Sequence, residues 1–236
     1  MKILAIDTSA VASSAAVFED GKCLSEVFAN VRLTHSQTLL PMCDYALKSA
    51  ATDLNDIDSF AVSGGPGSFT GLRIGIAAIK GMAAPDDKPC CNVSTLEALA
   101  YNLCGIDGVV CAVMDARCGQ FYTALFESTS GKIIRISEDA AISAEELYSM
   151  LEKTNKSIYI VGDGTELCVR GAKDELKSKL VPAPEHLRYA KANSVALAAF
   201  NHHDDFKNCS ELIPKYLRLP QAQRELLKRE KEKTKC

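Results

Sequence analysis

The chain has 236 residues, 47% hydrophobic and 24% charged, a globular composition that argues against disorder or a fibrous repeat and fits one large domain or two small ones. The formal charge of −3 gives no whole-molecule field directed at nucleic acid or a membrane, yet from Lys215 to Cys236 eight Lys/Arg face three Glu, a net +5 that leaves −8 on the first 214 residues. No apolar run approaches a membrane span, Asp7 ends the first apolar stretch well short of a secretion signal, and the ten cysteines include no C-x-x-C pair; a cytoplasmic protein is expected, its thiols reduced and mostly small core hydrophobes.

Residues 2–7, 13–18 and 22–29 read as three antiparallel strands, the last two joined through Asp20-Gly21, a favoured hairpin pair. Beyond Thr34 or Ser36 as N-cap, Leu39, Leu40, Cys43, Ala46, Leu47 and Ala50 recur at helical spacing, so a helix runs to about Ala51. A strand at 59–63, a glycine-rich turn at 64–71, a helix at 70–84 stopped by Pro85, a strand at 90–93 and a helix at 94–104 complete the first half.

The second half repeats the order. Strands are expected at 109–114, 120–127 and 132–137, then a helix capped by Ser143 and reaching Lys153, and a strand at 157–161. Gly162-Asp163-Gly164 then leads into a helix to about Lys179, Asn193 or Ser194 caps another near Ala198, and Pro220 suits the first turn of a terminal helix. Each half opens with an apolar strand ending in Asp, at Asp7 and Asp115. The duplication favours an α/β chain of two ribonuclease-H-like lobes, 1–105 and 106–214, followed by a basic helical segment at 215–236; the alternative is one large mixed sheet with helices on both faces.

Asp7-Thr8-Ser9 at a strand end has two readings: the side chains satisfy the tight turn through local hydrogen bonds, or the turn offers a carboxylate to hydrated Mg²⁺ and amides to phosphate. Gly162-Asp163-Gly164 is the comparable turn after a strand of the second half, and Asp115-Ala116-Arg117 matches the Asp7 turn in position. The run from Gly64 to Arg73 lacks the Gly-Lys of a phosphate-binding P-loop and places Thr70 where a dinucleotide fingerprint requires its third glycine. Capping of the next helix by Ser68 or Thr70 is the favoured use of that loop. Gly71 and Gly75, one turn apart among Ile74, Ile76, Ile79 and Met82, let another backbone approach, which fits a helix sandwiched in the domain or one serving a partner.

The four histidines form no H-x-x-x-H or H-E-x-x-H pair, and no G-x-S-x-G elbow occurs, which argues against a zinc hydrolase or a serine hydrolase. His35 reads as a structural hydrogen-bonder beside a helix start, and His202-His203 as a solvated helix end. The basic terminal stretch lacks aromatic residues to stack bases, so a solvated helix is the first reading and RNA phosphate binding the second.

Ile6-Asp7-Thr8-Ser9, Thr34-His35-Ser36 with Leu39-Leu40-Pro41, the GGPGSFTGLRIG run from Gly64 to Gly75, VSTLEAL from Val93 to Leu99, Met114-Asp115-Ala116-Arg117, and Tyr216-Leu217-Arg218 before Pro220-Gln221-Ala222 occur in one order. Together they resemble the TsaB (YeaZ) family nearly end to end, the glycine-rich run being the specific part. The resemblance implies an actin-like ATPase (ASKHA) fold and a role in making N6-threonylcarbamoyladenosine next to the anticodon of tRNA. It implies a non-catalytic activating subunit that forms a heterodimer with the homologous transferase TsaD and recruits the ATPase TsaE. ATP, threonylcarbamoyl-adenylate and a metal then belong to the complex, the metal held by TsaD, and no cofactor or metal is bound by this chain. Thr95 and Leu99 stand where TsaD carries its two metal-binding histidines.

The family pairs through helices that correspond to 36–51 and 70–84 here, and periodicity then nominates Leu39, Met42, Cys43, Leu72, Ile76 and Ile79 as contacts, in the heterodimer or in a homodimer of the isolated chain. Asp7, Thr8, Ser9, Gly162, Asp163 and Gly164 become vestigial phosphate turns, and Arg224, Lys228, Arg229 and Lys231 the residues placed to meet tRNA in the complex. An autonomous ATPase or kinase of the same fold is the rival reading; a glycoprotease, an older label of the family, comes third.

Overall fold

A computed structural model describes residues 1–219. β1 (Lys2–Asp7), β2 (Ser13–Glu19) and β3 (Lys22–Ala29) form an antiparallel meander, and β4 (Ser59–Gly65) and β5 (Cys90–Ser94) add in parallel, giving the order β3-β2-β1-β4-β5. The second sheet uses β6 (Gly108–Asp115), β7 (Gln120–Thr129), β8 (Lys132–Arg135), β10 (Ile158–Val161) and β11 (Leu180–Pro182) in the order β11-β10-β6-β7-β8, with β9 (Ala140–Ser143) paired to the start of β7. Read from the meander outward, both sheets have one topology, three antiparallel strands and then two parallel ones, so the expected duplication into two lobes is present.

Strand alternation assigns the helices to faces. Leu4 and Ile6 of β1, with Ala15 and Val17 of β2, point toward α1 (His35–Ser49) and α2 (Phe69–Ala83); Ile3, Ala5, Ala16 and Phe18 point the other way, toward α3 (Thr95–Tyr101) and α7 (Ala192–Asn201). In the second sheet Val109, Cys111 and Val113 pack with α4 (Ala144–Glu152), α5 (Thr165–Gly171) and α6 (Asp174–Lys177), while Val110, Ala112 and Met114 meet Leu96, Leu99 and Leu103 from and just beyond α3. Helix α3 therefore lies between the lobes. Its Ala98 and Tyr101 belong to the first core and its Leu96 and Leu99 to the core it shares with the second sheet.

The caps explain several boundaries. Ser68 accepts from the Gly71 amide at 3.2 Å, Ser94 from Glu97 at 3.3 Å, and Ser143 forms a reciprocal capping box with Glu146. Thr34 occupies the N-cap of α1 without a side-chain cap, its carbonyl alone accepting from Gln37 and Thr38.

Four features depart from the sequence reading. Helix α7 begins at Ala192 after Lys191, so Asn193 and Ser194, expected as its caps, lie within its first turn. The helix expected to reach Lys179 breaks into α5 and α6, because Gly171 packs beneath the Tyr148 hydroxyl and Ala172 turns extended. Strands β9 and β11 have four and three residues, too few to show a period. The division expected at 106–214 is not the one the packing draws. Helix α7 is buried on the first sheet through Ala192, Val195, Ala196 and Ala199, and the chain beyond it pairs Lys207 with Cys90 and buries Cys209 and Leu212 in the first core, so the stretch from 192 to 212 belongs with the first lobe.

Candidate functional site

The carboxyl ends of β1, β4 and β6 converge on a cleft between the lobes, a cavity of about 410 Å³ whose walls include Ser9, Phe69, Asp115, Arg117, Asp163 and Tyr216. Asp7 lies below this floor with no solvent exposure. Its carboxylate accepts from the Ser9 amide at 3.2 Å and from the Ser9 hydroxyl at 3.1 and 3.0 Å, which is the turn-satisfying arrangement. Burial raises the Asp7 pKa, and the hydrogen bonds from Ser9 oppose that rise.

The glycine-rich run is closed onto this turn. The Ser68 amide donates to the Ser9 carbonyl at 2.7 Å, and the Thr8 hydroxyl donates to the Gly71 carbonyl at 2.8 Å. A Cβ on Gly71 would run into the Thr8 carbonyl, so that glycine permits backbone packing. The loop amide nearest the Asp7 turn is thus spent on protein, and Ser68 serves as the cap expected of it.

In the second lobe Asp163 accepts from the Asp115 amide at 3.1 Å, the Gly164 amide donates to the Val113 carbonyl at 3.1 Å, and Gly162 packs against that same carbonyl. Water reaches Asp163 inside the cleft, but the surrounding protein raises its pKa; the Asp115 amide and Arg117 oppose the rise while the Asp115 charge adds to it. Arg117 pairs with Asp115 at 3.2 Å, and the turn from Arg117 to Gly119 is left-handed throughout, with φ of 66°, 55° and 71°. Arg218 donates to the Ala116 and Arg117 carbonyls. The cleft presents the Asp115 and Asp163 carboxylates toward its floor, and the glycine turns on either side are filled by the chain's own carbonyls. Arg117 and Arg218 share that wall with the two carboxylates, so the cleft has no one-signed field, and what the turns lack for a polyphosphate is free amides.

The remaining nominated residues fall in three places. Leu39, Met42, Cys43, Ile76 and Ile79 are buried in the first lobe's core, where α1 and α2 meet the sheet, and Leu72 is buried beside Gly65. The periodicity that selected them reports packing within the lobe, so these six side chains are not surface contacts. The apolar residues left in solvent on and before α1 are Val31, Leu33, Leu40 and Tyr45, the last two 55% and 63% exposed. Thr95 and Leu99 are buried between the lobes, and the Thr95 hydroxyl has no hydrogen-bond partner. Arg224, Lys228, Arg229 and Lys231, with the terminal helix expected from Pro220, lie outside the described residues.

Among the described residues no three His, Cys, Asp or Glu side chains converge on a metal-sized site, and no helix is long and apolar enough to cross a membrane. His35 hydrogen-bonds the Ala10 carbonyl at 2.8 Å. Six of the cysteines among the described residues are buried, and burial pushes the thiols of Cys43, Cys90, Cys91, Cys111 and Cys168 up to about 12, which keeps them protonated and inert. What sequence reasoning missed is the segment after α7, which closes one side of the cleft; Tyr216 and Arg218 were visible only as parts of a motif.

Comparison with known proteins identifies the lineage. The family model of TsaD, tRNA N6-adenosine threonylcarbamoyltransferase, matches residues 24–226. The tRNA threonylcarbamoyladenosine biosynthesis protein TsaB of Bacillus subtilis is 29% identical across 98% of this chain and 100% of its own length; that of Escherichia coli is 35% identical across 70% of this chain and 72% of its own. The solved structure of YeaZ from Pseudomonas aeruginosa superposes with a TM-score of 0.78 at 27% identity, covering 92% of this chain and 99% of that one. A Clostridium difficile dehydratase activator, at a TM-score of 0.53 and 11% identity over 86% of this chain and 96% of its own, shares the actin-like ATPase fold alone. With the topology, the matched family model and these relatives together, the chain belongs to the TsaB (YeaZ) family, within the wider group described by the TsaD model.

Proposed function

We propose that this chain is a non-catalytic activating subunit in the synthesis of N6-threonylcarbamoyladenosine in tRNA, acting in the cytoplasm as a heterodimer with the TsaD transferase and recruiting the TsaE ATPase. The observation that carries the reading is the state of the two turns flanking the cleft. Asp7 is buried under Ser9, and the amides of Ser68 and Gly164 are given to backbone carbonyls, so neither turn keeps these donors free for a phosphate. Thr95 and Leu99 offer no imidazole to a metal. ATP, threonylcarbamoyl-adenylate and a metal are in this reading handled by the partners.

Docking falls to the solvent face of α1 and the residues before it. Leu33, Leu40 and Tyr45 supply exposed apolar surface there, and the exposed Ala77 and Gly81 give α2 a face that a partner helix approaches closely. The same surface would serve a homodimer when the chain is alone. Reconstitution tests the reading: TsaD, TsaE, tRNA, ATP and threonylcarbamoyl-adenylate should turn over only when this chain is added, and the chain alone should modify nothing. Equal turnover without it would reject the assignment. Calorimetry with Mg-ATP tests the rival ATPase or kinase, since micromolar binding abolished by Asp7→Ala would favour that enzyme.

A further inference from the structure

After α7 the chain does not leave the molecule. Lys207 pairs with Cys90 at the edge of the first sheet, Cys209 and Leu212 enter the first core, and Lys80 donates from α2 to the Ser210 carbonyl at 3.0 Å. From there residues 213–218 run along the mouth of the cleft. Their contacts address both lobes.

On the first lobe, Asn92 donates to the Ile213 carbonyl at 2.7 Å and the Lys215 amide donates to the Gly64 carbonyl at 2.7 Å. A side chain on Gly65 would collide with the Lys215 carbonyl, and Gly65 holds φ of +124°, so the second glycine of the run gives this segment its seat. The Tyr216 ring stacks on Phe69 with centroids 4.4 Å apart, and its hydroxyl accepts from Arg73 Nε at 2.9 Å, while the Arg73 guanidinium lies 3.9 Å over Phe69. On the second lobe, Lys215 Nζ pairs with Asp139 at 3.2 Å, and Arg218 spans the carbonyls of Ala116 and Arg117 at the left-handed turn. Asp139 has a buried side chain and is itself tied across the cleft, to Ser94 of the first lobe at 2.9 Å and to Arg135 of its own at 2.7 Å.

We propose that residues 213–218 form a latch that fixes the angle between the lobes, Tyr216 gripping the start of α2 and Arg218 gripping the turn after β6. The alternation of grips within six residues is what makes it a latch: a segment packed on one lobe would add nothing at the cleft mouth to the hold that the α3 core and the Ser94–Asp139 contact already exert between the lobes. The segment also faces the cleft, since Tyr216, Leu217 and Arg218 form part of its wall. The device also couples the cleft to α2, since Phe69 and Arg73 occupy that helix's first two turns. The inference stands on these contacts whichever partner α2 serves.

Hydrogen exchange on the full chain tests it, comparing Tyr216→Ala and Arg218→Ala with the parent. A latch transmits: Arg218→Ala should accelerate exchange about ten-fold not only at 116–119 but across the cleft at 64–70, and Tyr216→Ala the converse, while β1 and β6 keep their protection. Tyr216→Phe, which keeps the stack and loses the acceptor for Arg73, should fall between. Acceleration confined to the lobe touched by the altered side chain, or none, overturns the proposal. Since the chain contains no tryptophan, Tyr216→Trp supplies a second reading that tolerates a weakened fold. Its emission should shift to the red when Arg218→Lys is added, because one ammonium does not span both carbonyls; unchanged emission counts against the latch.

Discussion

The Thr8 hydroxyl donates to the Gly71 carbonyl across 2.8 Å in a fully buried setting, joining the turn after β1 to the first turn of α2. Two stretches 63 residues apart, one resembling a metal-and-phosphate turn and the other a phosphate loop, are thus each other's main ligands. The bond holds α2 against the end of the central strand, so its direction is set by backbone contact.

Substitutions along α2 should separate this close packing from ordinary helix preference. Gly71→Ala places a methyl against the Thr8 carbonyl, which has little freedom to retreat, and should cost roughly 2–3 kcal/mol. Thr8→Val removes the donor and should cost about 1 kcal/mol. Gly81→Ala, on the same helix but with open space around it, should instead stabilise by about 0.5–1 kcal/mol. Urea unfolding midpoints at constant slope measure all three, and equal losses at positions 71 and 81 would remove the packing argument.

Asp7 should leave a signature in the pH dependence of stability. Its native pKa is raised by burial, so the folded chain binds a proton more tightly than the unfolded chain does. The associated stability is fully present below the ordinary aspartate value near 3.8 and is lost as pH climbs through the native value. Asp7→Asn carries no charge to desolvate, so its stability relative to the parent should grow as pH rises from about 4 and then level off. A difference that is flat with pH would mean that the Ser9 hydrogen bonds fully offset the burial.

Much of the fold was legible because it rests on local signals. Asp20-Gly21, Ser68 and Ser143 each punctuate an element with chemistry that depends only on neighbours in sequence, and the structure uses all three there. The cleft was less legible because its wall is nonlocal. Nothing near Tyr216 signals Phe69, and the reason for Gly65 is a carbonyl 150 residues later. The helix faces failed for another reason: an apolar stripe shows that one side is buried without showing what buries it. Ile76 and Leu72 satisfy that pattern equally whether they meet a partner or β4.

That ambiguity gives a direct contrast between core and surface charges. Ile76→Glu puts a carboxylate in the first lobe's core and should unfold the chain, since burying an unpaired charge costs several kcal/mol against a total of about 5–15. Leu40→Glu and Tyr45→Glu lie in solvent and should shift stability by no more than about 0.5 kcal/mol. If the exposed face of α1 docks TsaD, these two variants, still folded by circular dichroism, should lose at least about ten-fold in affinity by pull-down or calorimetry. Wild-type affinity in both would move the docking surface elsewhere on the chain.

The basic end of the sequence can be judged by its salt dependence. Residues 220–236 carry six Lys/Arg, among them Arg224, Lys228, Arg229 and Lys231, against three Glu. Ending the chain at Leu219 keeps the latch and every core residue described above, and the truncated chain should still fold cooperatively. Each tRNA phosphate that the tail neutralises in the assembled complex releases bound counterions. Truncation should therefore make the slope of log affinity against log salt less negative, by about 0.7–0.9 for every phosphate the tail had neutralised. Weaker binding with that change of slope would assign the tail to RNA; an identical slope and affinity would show that its charge is spent on solvent.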